Sequence, residues 1–156
     1  MPFYQSQLPG NGATGINPAQ QIILTPFFIA ATLTFTQISV ALLAASTTPD
    51  WDFGVYDNSG SLVANTGSVK PTPTGIKTMP IAQTSVTLPA GTYYFAQAPG
   101  DTSGRVGIFN YGYVLKGLSA LVIPNTNPPG SLPPTITLPA PGVATDVRAN
   151  VAFVLS

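Results

Sequence analysis

Short runs of alternating apolar and polar residues recur along the chain, separated by glycine, proline and asparagine. The clearest run is residues 51–57 (WDFGVYD), in which Trp51, Phe53 and Val55 share one face. A period of two is typical of half-buried strands. The next residues, 57–60 (DNSG), have the composition of a tight turn, and residues 61–65 resume the pattern. The sequence therefore predicts a β-hairpin here.

Other short runs of the same type predict further strands, and the glycine and proline residues between them predict turns. The chain contains 15 glycines and 17 prolines, which is too many for long helices. We predict an all-β protein with the fold of an antiparallel β-sandwich, of the jelly-roll type. The remaining predicted strands are residues 33–42, 76–81, 85–88, 92–98, 105–110, 112–118, 120–123 and 146–155.

Two segments interrupt this pattern. Residues 1–21 have no periodicity and are broken by proline and glycine, which predicts an extended N-terminal arm ahead of a single domain, residues 22–156. Residues 124–141 contain seven prolines, which predicts a surface loop with at most one edge strand, at residues 135–138. The apolar arm residues are candidates for docking on a partner, although a frayed terminus is the alternative: Phe3, Tyr4, Leu8 and Ile16.

Residues 26–46 are uncharged and about as long as a membrane-spanning helix. Threonine, serine and glutamine interrupt the run, and its many Thr and Ile residues favour strands. No lysine or arginine flanks it to set an orientation. We therefore interpret it as strand and expect no membrane partner.

Charge is scarce throughout the chain. Charged residues make up 6% of the sequence, against about a quarter in an average protein, and none precedes Asp50. The net charge is zero, which favours association of the protein with itself or with other proteins. The five basic residues are too few and too scattered for a nucleic-acid interface. Composition thus favours a protein that works in an assembly.

The residue types that most catalytic and metal sites need are missing. The chain has no histidine, cysteine or glutamate, which excludes nucleophile–histidine systems and the usual zinc sites. Asp50 and Asp52 could serve as a glycosidase pair, or with Asp57 as calcium ligands. The favoured interpretation is that Asp50 begins a strand and Asp52 faces solvent or pairs with a lysine. We expect no enzymatic activity, no cofactor and no metal.

Several tyrosines carry a second interpretation. Tyrosine offers a flat apolar face with a polar tip, which suits stacking on sugars. Strands of a sandwich also use aromatic residues for core and subunit contacts, and this alternative is favoured. The candidates for glycan stacking are Tyr56, Tyr94, Tyr111 and Tyr113.

Two stretches carry a resemblance to a known group of proteins. Residues 51–67 read WDFGVYDNSGSLVANTG, and residues 87–99 read TLPAGTYYFAQAP. A Gly-Val-Tyr-Asp strand, a glycine turn, and later a Pro-Ala-Gly turn before an aromatic strand resemble the β-sandwich modules of tailed bacteriophages. These modules occur in tail fibres and in head decoration (cement) proteins. The resemblance covers residues 31–109, about half of the chain.

The resemblance implies a homotrimer on the virion, at the outer surface of the capsid. A small chain with an arm and a proline-rich loop resembles a cement protein, whose trimers bind the major capsid protein and staple neighbouring capsomers. The alternative is a tail-fibre or baseplate receptor-binding module that recognises a host surface glycan. A third interpretation, a carbohydrate-binding domain from a cellular enzyme, is disfavoured by the initial methionine and the final strand.

Overall fold

The computed structural model describes residues 21–44, 50–70, 72, 74–100, 105–106, 108–109, 121–138, 148–149 and 151–155. All regular elements within these ranges are β-strands, and all pairings between them are antiparallel. The prediction of an all-β protein is confirmed. The arm predicted at residues 1–21 lies outside the described residues except for Gln21, which is the first residue of a strand.

Sheet A contains five strands, and its middle strand is the aromatic segment predicted at residues 92–98. The hairpin predicted from the WDFGVYD run is present next to it, with a tight turn in which Gly60 has a φ of 84°. In spatial order the strands are β10 (Leu121–Pro124), β1 (Gln21–Ile29), β7 (Gly91–Ala98), β3 (Asp52–Asp57) and β4 (Leu62–Asn65).

Sheet B is built around one long strand, β2 (Leu33–Ala44). Leu42 pairs with both Gly75 and Val106, so the strands that carry these two residues lie on opposite sides of β2. The strands that pair with β2 are β5 (Gly75–Pro80), β6 (Val86–Leu88), β8 (Arg105–Val106) and β12 (Val151–Leu155); β9 (Ile108–Phe109) pairs separately with β11 (Arg148–Ala149).

The uncharged run at residues 26–46 forms the end of β1 and the whole of β2. Among the described residues, β10 pairs with Gln21–Leu24, and Pro26 is opposite Tyr94 of β7. Within the described ranges, no helix has the length and apolarity to cross a membrane. The interpretation of this run as strand is confirmed.

The facing sides of the two sheets share an apolar core. Trp51, Phe53 and Val55 point into it, as their alternation predicts, and the Phe53 ring stacks on Phe95 with ring centroids 6.3 Å apart. Sheet B contributes fully buried side chains such as Phe35. Burial of each such side chain stabilises the fold by about 1.5–3 kcal/mol. Two antiparallel sheets with a common core are consistent with a β-sandwich.

The other side of sheet A, which we call the outer face, is also apolar. It carries Ile22, Leu24, Tyr56, Ala96 and Ala98, all fully buried. A sheet that is apolar on both sides needs a second cover, because its outer face would otherwise remain in water.

Residues 128–138, which we call the strap, supply part of that cover. The proline-rich sequence predicted a surface loop, and its prolines at 128, 129 and 134 are indeed exposed. Leu132 and Pro133 are buried, however, and Leu132 packs in the outer-face core together with half-buried Ile136 and Leu138. Proline suits this position because it has no backbone N–H that would need a partner above an apolar surface. The predicted edge strand at residues 135–138 is reduced to a single bridge between Thr135 and Ser61.

Backbone hydrogen bonds fasten the strap at both ends. The N–H of Gly130 donates to the Pro99 carbonyl at 3.1 Å, and the N–H of Ile136 donates to the Gly60 carbonyl at 2.8 Å. Glycine is needed at these close approaches. A Cβ at Gly130 would collide with the Asp50 carbonyl oxygen, and one at Gly54 would lie 2.7 Å from the Leu132 side chain.

We expect Gly130→Ala to destabilise the protein more than Gly67→Ala. Both glycines have a positive φ, so alanine costs about 1–2 kcal/mol at either position. Only at Gly130 would the new Cβ strike the neighbouring backbone, which adds about 1–3 kcal/mol. Urea unfolding followed by the fluorescence of the buried Trp51 measures both. Equal losses of stability in the two variants would show that the strap at Gly130 is not closely packed against the backbone at Asp50.

Candidate functional site

The structure describes two of the residues that the sequence singled out for contact, and both lie on the outer face of sheet A. Tyr56 and Tyr94 are opposite each other on β3 and β7. The other candidates lie outside the described residues: Phe3, Tyr4, Leu8, Ile16, Tyr111 and Tyr113.

Tyr56 is placed where no ligand can reach it. Its side chain is fully buried under the strap, and its hydroxyl donates a hydrogen bond of 2.6 Å to the Pro133 carbonyl. Burial raises the pKa of Tyr56 well above its usual value, and the negative charge of Asp52 adds to the rise. The suggestion that Tyr56 stacks on a glycan is therefore wrong. The residue is an anchor for the strap.

Tyr94 belongs instead to an exposed surface beside the strap, formed by Pro26, Phe28, Thr92 and Tyr94, which we call the outer patch. Pro26 is opposite Tyr94, and Phe28 is opposite Thr92. The neighbours of Phe28 along β1 and of Tyr94 along β7 point into the core, so Phe28 and Tyr94 share the outer face. Diagonal neighbours of this kind are about 7–8 Å apart, close enough for one partner to touch both rings.

Phe28 is the most conspicuous member of the outer patch, because 66% of its surface is exposed. Thr92 is also exposed, while Pro26 and Tyr94 are half-buried. None of the ten charged residues of the chain lies on β1, β7 or β10, the strands at this side of sheet A. Phe28 could not be singled out from the sequence, because β1 is apolar on both faces and has no alternation that would indicate which residues stay uncovered.

Ile76 is the second large apolar side chain that is exposed, at 77% of its surface. It lies on β5, in sheet B, opposite Ala41. Its surroundings differ from those of Phe28. Ser39 and Thr78 next to it join their hydroxyls at 2.7 Å, and a similar pair, Thr34 and Thr87, lies further along the sheet. Hydroxyl groups thus lie beside Ile76, whereas Phe28 lies beside a second aromatic ring.

The three aspartates that the sequence offered for catalysis or calcium are each held by separate partners. Asp50 forms an exposed ion pair of 2.9 Å with Lys70, whose hydrogen bond, together with that of Ser68, lowers the pKa of Asp50. Asp57 closes the hairpin turn: the backbone N–H groups of Ser59 and Ser61 donate to its carboxylate. Partial burial opposes these bonds, but the pKa of Asp57 is lowered overall.

Asp52 corrects one sequence interpretation. It neither faces solvent nor pairs with a lysine, because it is only 2% exposed and its partners are uncharged. The side chain of Asn65 donates to it at 2.9 Å, and the backbone N–H of Leu132 donates at 3.1 Å. Asp52 thus joins β3, the end of β4 and the strap. Within the part of the chain that the structure describes, no group of three or more His, Cys, Asp or Glu residues lies together.

Tyr56→Phe should destabilise the protein by about 1–2 kcal/mol, because the buried Pro133 carbonyl loses a donor. Tyr93→Phe is the matched control. The Tyr93 hydroxyl donates to the Pro89 carbonyl at 3.0 Å at a partly buried site, where water can replace it, so we expect a loss of about 0.5 kcal/mol. Denaturant unfolding measures both, and a loss for Tyr56→Phe no larger than the control would contradict the anchoring role.

Comparisons of the chain with protein families, with curated proteins and with solved structures returned no match.

Proposed function

We propose that the protein is a decoration (cement) protein of a tailed-phage capsid. In this proposal it binds the outer shell as a trimer and staples neighbouring capsomers, and it performs no chemistry. The finer description of the fold, a jelly roll, belongs to the same proposal. Successive strands such as β1, β2 and β3 pass from one sheet to the other and back, as they do in jelly rolls and in other sandwiches.

The observation that carries the proposal is the exposed, uncharged outer patch. Phe28 has 66% of its surface in water, and covering this apolar ring with a partner would be favourable. The strands beneath it carry no charge, so the matching surface should be apolar and uncharged as well. A folded shell protein offers such a surface, and aromatic residues commonly dominate the energy of protein interfaces.

The scarcity of charged residues suits a protein that is packed in a dense assembly. Ten charged residues in 156, with no net charge, would leave a free monomer prone to association. On a shell the same property is useful, since uncharged neighbours pack without repulsion. In a trimer each weak contact raises the effective concentration of the next, so modest patches add to firm attachment. The proposed shell contacts comprise the outer patch and the arm residues Phe3, Tyr4, Leu8 and Ile16.

A receptor-binding module of a tail fibre or baseplate is the second candidate, and the diagonal placement of Tyr94 and Phe28 on one face favours it. Two rings on one sheet face, with the exposed hydroxyl of Thr92 beside them, also suit a flat sugar ring. Tyr56 is buried and therefore does not count among the stacking residues, which weakens this alternative. A glycan array distinguishes the two, because only the receptor-binding module should retain a sugar, and should lose it in Tyr94→Ala.

Cosedimentation with expanded, undecorated capsids of the parent phage tests the proposal. Full-length protein should bind saturably in multiples of three. Phe28→Ser should weaken binding about tenfold or more, the equivalent of at least ~1.4 kcal/mol. Ile76→Ser is the matched control, because it removes an equally exposed apolar side chain from the other sheet. Both substitutions should change the stability by no more than about 0.5 kcal/mol.

A second variant tests the arm. Removal of residues 1–20 leaves β1 intact, because that strand begins at Gln21. We expect this variant to fold and to lose capsid binding. Absence of binding by the full-length protein would contradict the decoration function. Equal binding by Phe28→Ser and the unmodified protein would show that the outer patch is not the contact.

A further inference from the structure

Asp52 is the one buried carboxyl group among the described residues, and no salt bridge to it is found there. It lies under the strap, and its two oxygens have different surroundings. Oδ2 accepts both structural hydrogen bonds, from the Asn65 amide and from the Leu132 N–H. Oδ1 lies 3.3 Å from the Thr66 hydroxyl. The backbone N–H of Gly67 also donates to the carboxylate. Oδ2 therefore holds the strap, while Oδ1 lies beside a hydroxyl that can accept a proton from it.

Thr66 is placed to serve either protonation state of Asp52. Its hydroxyl oxygen is 3.3 Å from Asp52 Oδ1 and 3.0 Å from the Gly67 carbonyl oxygen. The same oxygen accepts a hydrogen bond of 3.1 Å from the Phe53 N–H, which leaves one more lone pair for a proton from Asp52. With Asp52 ionised, the Thr66 hydroxyl donates to Oδ1. With Asp52 protonated, the new O–H donates to Thr66, whose own proton turns to the Gly67 carbonyl. A hydroxyl is both donor and acceptor, so the exchange moves no heavy atom.

The groups that face Asp52 make this change favourable. On β3, the titratable neighbour of Asp52 under the strap is Tyr56, which is neutral near pH 7. Neither β4, nor the β7 residue Ala98 opposite Asp52, nor the strap carries a charged side chain. Lys70, the cation nearest in sequence, is occupied by Asp50 at the surface. Among the residues that the structure describes, no positive charge therefore compensates the buried carboxylate, and its desolvation is costly.

We propose that the Asp52–Thr66 pair is a proton-uptake site that stabilises the fold, with the strap docked on sheet A, in acid. The proton comes from solvent and adds to Asp52 Oδ1, and no bond to the strap is broken. The strap therefore stays docked on sheet A at acidic pH. This inference is independent of the proposed function, since it concerns the fold alone.

The direction of the pH effect follows from the pKa of Asp52. Burial raises it, and the hydrogen bonds from Asn65, Leu132, Thr66 and Gly67 only partly offset the rise. The folded protein therefore binds more protons than the unfolded chain between the raised pKa and the unfolded value of about 3.9. The free energy of unfolding should accordingly increase as the pH falls through this window. Asp57, whose pKa is lowered, has the opposite effect.

The experiment compares unfolding constants of the full chain from pH 7 to pH 3.5 for three proteins: unmodified, Asp52→Asn and Asp57→Asn. Asparagine at position 52 imitates the protonated acid, since its amide can donate to Thr66 while its oxygen keeps the strap. The unmodified protein should gain stability relative to Asp52→Asn as the pH falls. It should lose stability relative to Asp57→Asn over the same change. The proposal would be overturned if the unmodified protein gained no stability, or lost stability, relative to Asp52→Asn as the pH falls.

Titration of the Asp52 carboxyl carbon by NMR gives a second readout in the unmodified protein, should Asp52→Asn fail to fold. We expect a midpoint above the usual value for aspartate, and a midpoint at or below that value would overturn the proposal. Thr66→Val and Thr66→Ser then test the relay. Serine keeps the hydroxyl and should preserve the gain of stability in acid, whereas valine should reduce it. Equal behaviour of the two variants would exclude Thr66 from the site.

Discussion

The docking of the strap on the outer face of sheet A is the interaction on which the rest of the structure depends. Sheet A buries large side chains on both faces, so sheet B alone cannot complete it. The strap covers part of the second face with Leu132, and its prolines bring few N–H groups that need partners. Gly54, Gly60 and Gly130 permit the close approach. Tyr56 and Asp52 then bond the two layers together.

The same layer defines the surface that is available for function. Where the strap covers the sheet, aromatic and acidic residues are used for anchoring, as with Tyr56 and Asp52. Beside it, Phe28 and Tyr94 remain accessible on strands without charge. A protein with so few charges must recognise its partner by shape and apolar contact, because electrostatic steering is weak. Attachment to a shell through several such contacts is the use that fits these properties best.

Local alternation was enough to predict much of the fold, and long-range contacts explain what it could not. The pattern at Trp51, Phe53 and Val55 correctly predicted both the hairpin and its inward face. It could not show that Asp52 on the other face is buried, because its cover, Leu132, comes 80 residues later. The strand β1 was hard to recognise since both of its faces are apolar. The density of prolines is also a local signal. It predicted a surface loop at the strap, but it could not show that Leu132 and Pro133 are buried.

Native-state hydrogen exchange of the strap amides tests most directly whether the strap is an integral layer of the fold. The N–H groups of Gly130, Leu132 and Ile136 all donate to the body of the domain. If the strap completes sheet A, these amides should exchange with the same free energy and the same denaturant dependence as Phe95 in the centre of the sheet. Exchange of the strap at a much lower free energy, with Phe95 still protected, would contradict the account.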